Sequence, residues 1–481
     1  MTNNLPSLLC KGLFAMALIF LLHACGSPAP APTTGPTTYI RKNASKPEAA
    51  ADLAALNVAM AKMKQMPCDS VQSWYYQGAI HSMPMSVANG NPLCPSYTTM
   101  AQMKTAWMNC THDPMGASEM HFLLWHRLYI WHFEKIIREL SGKKDFALPY
   151  WDYTDKQYRV MPEIFRNPKD SLYESARLAS LNAGEPIQPF MNPKLDMTKN
   201  DECTIYSVFN SQVDQAPHGA MHNYVGGGYA GDSTLWNRIY QGPNYGLMAQ
   251  VESAGFDPIF FVHHANIDYL WERWYQSPNG AQPNLDSLLQ QPWAYVFFNP
   301  DGKKVVYSIQ DAFKQAFNMD YQYDVLQDTV KPPKAKTAVP ENRKEIASLV
   351  LDHPVTKAAH PVPMALANVK QNLLQGQDMS RKATIMILTV GFKQQPRFDY
   401  EVYVDTDQPD ASKLAGHLTF FGAMHMKEPA AEYTKTFTFD ITKEFDVTKL
   451  NNNFKLLIVN STGQPANEIS VKKVKIETRD F

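Results

Sequence analysis

The chain has 481 residues and is almost neutral, with 45 Lys and Arg against 46 Asp and Glu. That balance removes the electrostatic case for nucleic acid or any strongly charged partner. Aromatics at 12% and 34 prolines point instead to a packed interior with many fixed turns, in two or more domains.

Residues 1–25 read as a targeting segment. Lys11 precedes an apolar run, "GLFAMALIFLL" (Gly12 to Leu22), too short to span a bilayer comfortably and suited to a signal-peptide core. It ends in "LLHAC" (Leu21 to Cys25), which resembles the lipobox of bacterial lipoproteins, whose cysteine is lipidated. His23 is unusual inside that motif, and an ordinary cleaved signal is the alternative. Residues 26–48 read as a flexible tether, opening with "GSPAPAPTTGPTT". The expected location is the bacterial cell envelope, with a lipid anchor in the membrane and an oxidising environment. Of six cysteines, Cys10 and Cys25 belong to the targeting region. Among Cys68, Cys94, Cys110 and Cys203, the pair Cys68 and Cys94 is a candidate disulfide.

Helix is predicted from Ala49 to about Ser82, with Leu53, Leu56 and Met60 at core-like spacing. A loop follows, then helix from Glu119 to Leu140 with Gly142 near its C-cap. "FALPYWDYTD" reads as extended, and Gly184 to Lys199 as loop. A short helix is expected over Pro217 to Val225, closed by Gly226 to Gly228, and another over Pro258 to Tyr275. Composition changes after about residue 330. "KPPKAKTAVPEN" lies in a linker, residues 331–348. Beyond it, segments such as "ATIMILTVGF", "DYEVYVDT" and "FKLLIVNST" are rich in β-branched and aromatic residues and separated by turns. That pattern predicts a β-sandwich or barrel over 349–481. The fold class is therefore mainly α, a helical domain over 49–330 followed by a C-terminal β domain.

The histidines carry the chemistry. His218 and His222 stand four apart in "PHGAMHNYVGGG", which stacks both rings on one helical face. Two such rings can grip a transition metal, or simply be polar core groups. In "AGFDPIFFVHHANIDYLWERW", His263 and His264 are adjacent and point apart, while Asp268 shares the face of His264 and could orient a ring. Phe260, Phe261, Trp271 and Trp274 read as packing. Upstream stand His126 in "WHR", His112 in "CTH" and His81 late in a helix. Six imidazoles in two groups of three, with no evident carboxylate ligand, suit copper better than zinc, whose catalytic sites often include Glu or Cys. Neutral rings are required, so binding should weaken in acid.

The segments "WYYQGAIH", "CTH", "FLLWHRLYIWHFE", "LPYWDYT", "PHGAMHNYVGG" and "DPIFFVHHANIDYLWERW" together resemble the type 3 copper proteins: tyrosinases, catechol oxidases (polyphenol oxidases) and mollusc-type haemocyanins. The likeness runs in order over about residues 70 to 275. It implies a helical-bundle domain holding two copper ions, with dioxygen as co-substrate and a small phenol as partner. Carried over by motif, His81, His112 and His126 would hold one copper, and His218, His222 and His264 the other. The resemblance also implies a thioether between Cys110 and His112. His112 and His126 are more widely spaced than the family's matching pair, as if "DPMGA" were inserted, so His121 competes with His112. The C-x-H match favours His112. His121 and His132 then become packed or hydrogen-bonded histidines, and Arg127 pairs with a buried carboxylate.

The implied reaction oxidises an o-diphenol to an o-quinone while dioxygen ends as water. Tyrosinases tend to carry Asn after the first ligand of the second copper, with a Glu nearby that holds a water. Here Gly219 and Asp214 stand at those positions, so weak or absent monophenol hydroxylation is expected. Asn223 matches a position that often touches substrate. The β-rich part is weakly similar to the domain that follows the copper domain in plant polyphenol oxidases, and could cover the site. A haemocyanin-like dioxygen carrier, a full tyrosinase and a non-catalytic copper-binding protein are the alternatives.

Overall fold

The computed structural model describes residues 38–83, 93–96, 110, 118–231, 233–290, 294–326, 342–355, 360–364, 378–396, 398–423, 430–450, 454–460 and 468–481. The span read as a targeting segment, with Cys10 and Cys25, lies outside them, as does His112. Among the described residues no helix is long and apolar enough to cross a membrane.

The helices of the first domain include α1 (Ala50–Gln65), α2 (Trp74–His81), α3 (Ser118–Ser141), α4 (Tyr206–Val213), α5 (Ala220–Val225) and α6 (Ile259–Gln276). The single helix predicted from Ala49 to Ser82 is two. Pro67 forces the preceding Met66 into extended geometry, which ends α1. Ser73 then accepts from the Tyr76 backbone N–H at 3.0 Å and starts α2. Gly142 follows α3 with φ of 77°, the left-handed geometry a helix end favours. The segment read as loop over Gly184 to Lys199 contains short helical turns, such as Asn192–Leu195.

Helix α3 is central, packing on α1, α4 and α6. Nearly every side chain of α6 up to Trp271 is buried, so this helix is apolar all round. Phe133 of α3 stacks on Phe261 of α6 with centroids 3.5 Å apart, and Leu123 N–H donates to Asn210 Oδ1 of α4 at 2.9 Å.

The span read as tether does not stay loose to residue 48. Strand β1 (Tyr39–Arg41) pairs in parallel with β6 (Tyr321–Tyr323), near the other end of this domain. Arg41 is buried between Glu134 and Asp268. Two hairpins also belong to this domain: β2 (Leu235–Asn237) with β3 (Gly242–Asn244), and β4 (Tyr295–Phe298) with β5 (Lys304–Tyr307).

The second domain is a sandwich of two antiparallel four-stranded sheets. One runs β12 (Tyr433–Asp440), β9 (Lys382–Phe392), β14 (Ile469–Asp480), β7 (Arg343–Pro354). The other runs β11 (Leu414–Leu418), β10 (Tyr400–Val404), β13 (Phe454–Asn460), β8 (His360–Met364). The span read as linker thus already contains the start of β7 at Arg343. Leu388, Val390 and Phe437 of the first sheet share a core with Val402, Leu418 and Leu456 of the second, as expected when alternate residues face inward.

The sandwich rests on α4. Asp440 N–H donates to Gln212 Oε1 at 3.2 Å, and Arg479 Nη1 donates to Ser207 Oγ at 2.9 Å. Elsewhere, Lys199 pairs with Glu444 and His417 Nε2 lies 3.1 Å from the Pro193 carbonyl.

Candidate metal centre

Four elements converge at the centre of the helical domain. His81 ends α2, His126 sits within α3, His218 and His222 flank the start of α5, and His263 and His264 lie in α6. All six rings are buried. Their ligand atoms gather into two groups: His218, His222, His263 and His264, and His81, Cys110 and His126.

Four rings are aimed by the chain itself. His81 Nδ1 meets the Val251 carbonyl at 3.0 Å, and His126 Nδ1 the Phe122 carbonyl at 2.8 Å. His222 Nδ1 meets the Met248 carbonyl at 2.8 Å, and His218 Nδ1 the Asp214 carbonyl at 3.0 Å. A carbonyl only accepts, so each Nδ1 carries the proton and each Nε2 keeps a lone pair for a metal. Burial holds the His264 ring far below its ordinary pKa, and the surrounding imidazoles, His126 first, push the same way. That ring is neutral, as ligation requires.

The two groups meet at His264. Its ring stacks on His126 with centroids 4.2 Å apart and planes within 7°. Its Nε2 lies 3.5 Å from His222 Nε2. Two nitrogens so close could both reach one metal ion. The donor set is imidazole, with the Cys110 Sγ 3.6 Å from His126 Nε2. These residues fit copper, which takes imidazole readily. Phe122 and Phe260 wall the site, with ring centroids 4.8 Å from His126 and 4.2 Å from His264.

Other residues singled out in the sequence take different posts. His121 Nδ1 bonds the Tyr295 hydroxyl at 2.6 Å, and His132 Nε2 the Tyr307 hydroxyl at 3.0 Å. Both are structural contacts to the β4–β5 hairpin, and His121 joins neither group. His263 was expected only to point away from His264. It enters the second group, and its Nδ1 is 2.9 Å from the Tyr153 hydroxyl, a partner the "LPYWDYT" motif did not advertise. Asp268 was expected to orient a ring. Its carboxylate instead binds Arg127 Nε at 2.5 Å, Arg41 Nη1 at 3.0 Å and the hydroxyls of Tyr321 and Tyr323. Burial opposes its charge, but Arg127 and Arg41 outweigh that and hold the carboxyl below its usual range. Arg127 does pair with buried carboxylate, as expected.

Asp214 and Gly219 border the second group, and Asn223 follows His222 in α5. Asp214 Oδ1 is 3.0 Å from His218 Nδ1. Asn223 bonds Tyr229, whose hydroxyl also donates to Asp399 of the sandwich. Gly219 lies under a strap, Thr419 to Phe421, that follows β11. A Cβ on Gly219 would stand 2.8 Å from Thr419 Oγ1 and 3.3 Å from Phe421 Cβ. Thr419 Oγ1 donates to the Gln215 carbonyl at 3.1 Å, and Lys435 Nζ grips the Thr419 and Phe421 carbonyls at 3.0 and 3.2 Å.

Phe421 is the residue that sequence patterning missed. Its ring stacks on His222 with centroids 4.1 Å apart and planes within 14°, and it meets His218 edge-on at 5.7 Å. One signal was present. In a strand only alternate residues face one side, so adjacent Phe420 and Phe421 cannot both enter the sandwich core. Phe420 does, and Phe421 joins the core of the helical domain.

Buried imidazoles in two groups on a helix bundle, beneath a strap from a β-sandwich, form a site suited to two copper ions. Residues 71–205 and 195–277 match the family described as the common central domain of tyrosinase. A chloroplastic polyphenol oxidase of Malus domestica is 24% identical over 400 residues, 74% of this chain but only 64% of that protein. A tyrosinase of a Hahella species is 25% identical over 410 residues, 78% of this chain and 83% of that one. In structure, a latent aurone synthase (polyphenol oxidase) superposes with a TM-score of 0.60 at 19% identity, covering 93% of this chain and 90% of that one. A latent apple tyrosinase does so at 0.59 and 18%, covering 94% and 98%. Both share the two-domain fold.

Proposed function

We propose that this protein is a type 3 copper oxidase that turns o-diphenols into o-quinones, exported and lipid-anchored in a bacterial envelope. One copper is held by His81, His112 and His126, the other by His218, His222 and His264. Bound copper supplies the one-electron steps that pass four electrons from two diphenols to one dioxygen, giving two quinones and two waters. The observation that carries this reading is the parallel stack of His126 on His264, which brings the two imidazole groups face to face. His264 is preferred to His263 as the third ligand because its Nε2 faces His222 and its ring stacks on His126 of the other group. The neighbouring Cys110 supports a thioether to His112.

The chain's own residues bind and shield. Phe122 and Phe260 keep water from the reacting centre. The stacked ring of Phe421 occupies the face of His222 that a phenol ring would use, so the sandwich holds the enzyme closed until the strap moves. Weak monophenol hydroxylation is favoured, because Gly219 offers no amide and the Asp214 carboxylate is already bonded to His218. Asn223 borders the space a substrate would enter once the strap is gone.

A dioxygen carrier is the second reading, since a phenyl cover that bars an aromatic ring can still pass a diatomic gas. Copper-loaded full chain and a strap-opened variant, given a catechol or its matching monophenol in air, decide between them. Quinone from the catechol supports the oxidase. A folded, opened chain with two coppers and no quinone ends that reading.

A further inference from the structure

We propose that Asp214 is a positioning residue for His218, fixing its ring and strengthening its bond to metal, and is not a holder of catalytic water. This rests on the dicopper reading above. His81, His126 and His222 are each aimed by a backbone carbonyl. His218 has such a carbonyl and a carboxylate as well, both from Asp214 and both at 3.0 Å from Nδ1.

The placement follows from the local backbone. Asp214 closes α4 and opens a widened turn, Asp214–Gly219, in which Ala216 leaves helical geometry before Pro217. That turn brings the Asp214 side chain over the His218 ring. The pair is shielded, with side-chain exposures of 0% for His218 and 10% for Asp214, which strengthens a charge-assisted hydrogen bond. A carboxylate drawing on Nδ1–H makes Nε2 a better donor, as it does for histidine ligands generally.

Metal-free full chain, Asp214→Asn and Asp214→Glu are titrated with Co2+ against a chelator, following affinity and the visible d–d spectrum. Asp214→Asn keeps size but loses charge. One Co2+ site should weaken about 10- to 100-fold with a shifted band, while the other stays within about twofold. Asp214→Glu should restore part of the loss. Unchanged affinity and spectrum at both sites in folded Asp214→Asn would overturn the proposal. Should that variant not fold, ring 15N spectra of the unsubstituted metal-free chain decide. A proton on His218 Nδ1 with a strongly deshielded shift supports the pairing, and a proton on Nε2 refutes it. The copper count of the unsubstituted chain tests the dicopper reading separately.

Discussion

Phe421→Ala should open the site without touching a ligand. The Phe421 side chain is 5% exposed in the closed form and would face water once the strap lifts. Burying a phenyl ring is worth about 1.5–3 kcal/mol, and a stacked aromatic pair adds about 0.5–1.5 kcal/mol. Removal should therefore cost the closed form about 2–4.5 kcal/mol, shifting closed against open by about 30- to 1,600-fold. The assay is quinone absorbance from a soluble catechol, comparing full chains at equal copper content and equal helicity. The variant should show faster turnover with little change in copper content, because Phe421 provides no donor atom. The reasoning is refuted if the unsubstituted chain already oxidises catechol at the variant's rate. It is equally refuted if the folded, copper-replete variant is no faster.

Three further outcomes are expected. Gly219→Asn places side-chain atoms where Thr419 Oγ1 and Phe421 Cβ now sit, so it should loosen the strap and raise catechol turnover in the intact chain. Quinone formation from a monophenol, measured on the same variant, should rise if an amide at this position is what the chain lacks. Asp268→Asn leaves Arg41 and Arg127 short of charge in the core, and should lower stability by about 3–5 kcal/mol in urea unfolding. Burial pushes His121 down to about 4 and His132 to about 3. The unfolded rings take protons near pH 6.5, so this stability is complete above about pH 6.5 and is lost as pH falls toward 4 and below. His121 alone accounts for about 3 kcal/mol, read as a drop in urea midpoint between pH 7 and pH 4.

The helical half was legible because its chemistry repeats at short range. The pair His218 and His222, the His263–His264 doublet and the apolar run of α6 each declare themselves within a few residues. The clasp at Arg41 did not, because a three-residue strand has too little length to show a period. Its partner Glu134 lies 93 residues away and Tyr323 lies 282 away. Asp268 was assigned to a ring on helical spacing alone, and lost that role to two arginines from other elements. The sandwich was legible as a class, from alternation and turns, but its strand order was not. Neighbours such as β14 and β7 are distant in sequence, and register is chosen by side-chain packing between sheets. The cover over the site follows from that packing, so only the fold reveals which phenylalanine reaches the imidazoles.

The parallel pairing of Tyr39–Arg41 with Tyr321–Tyr323 has a practical meaning for activation. The metal-bearing half is knotted shut at both of its own ends, before the chain passes on to the sandwich. A protease cutting beyond residue 326 would leave the sandwich held only by contacts such as Asp440 with Gln212, and leave that knot tied. A trim that took Arg41 would untie it, leaving buried Glu134 with Arg138 alone and Asp268 with Arg127 alone. Trimming at the two ends of this half therefore has opposite results, one unmasking the metal centre and the other dismantling the scaffold around it.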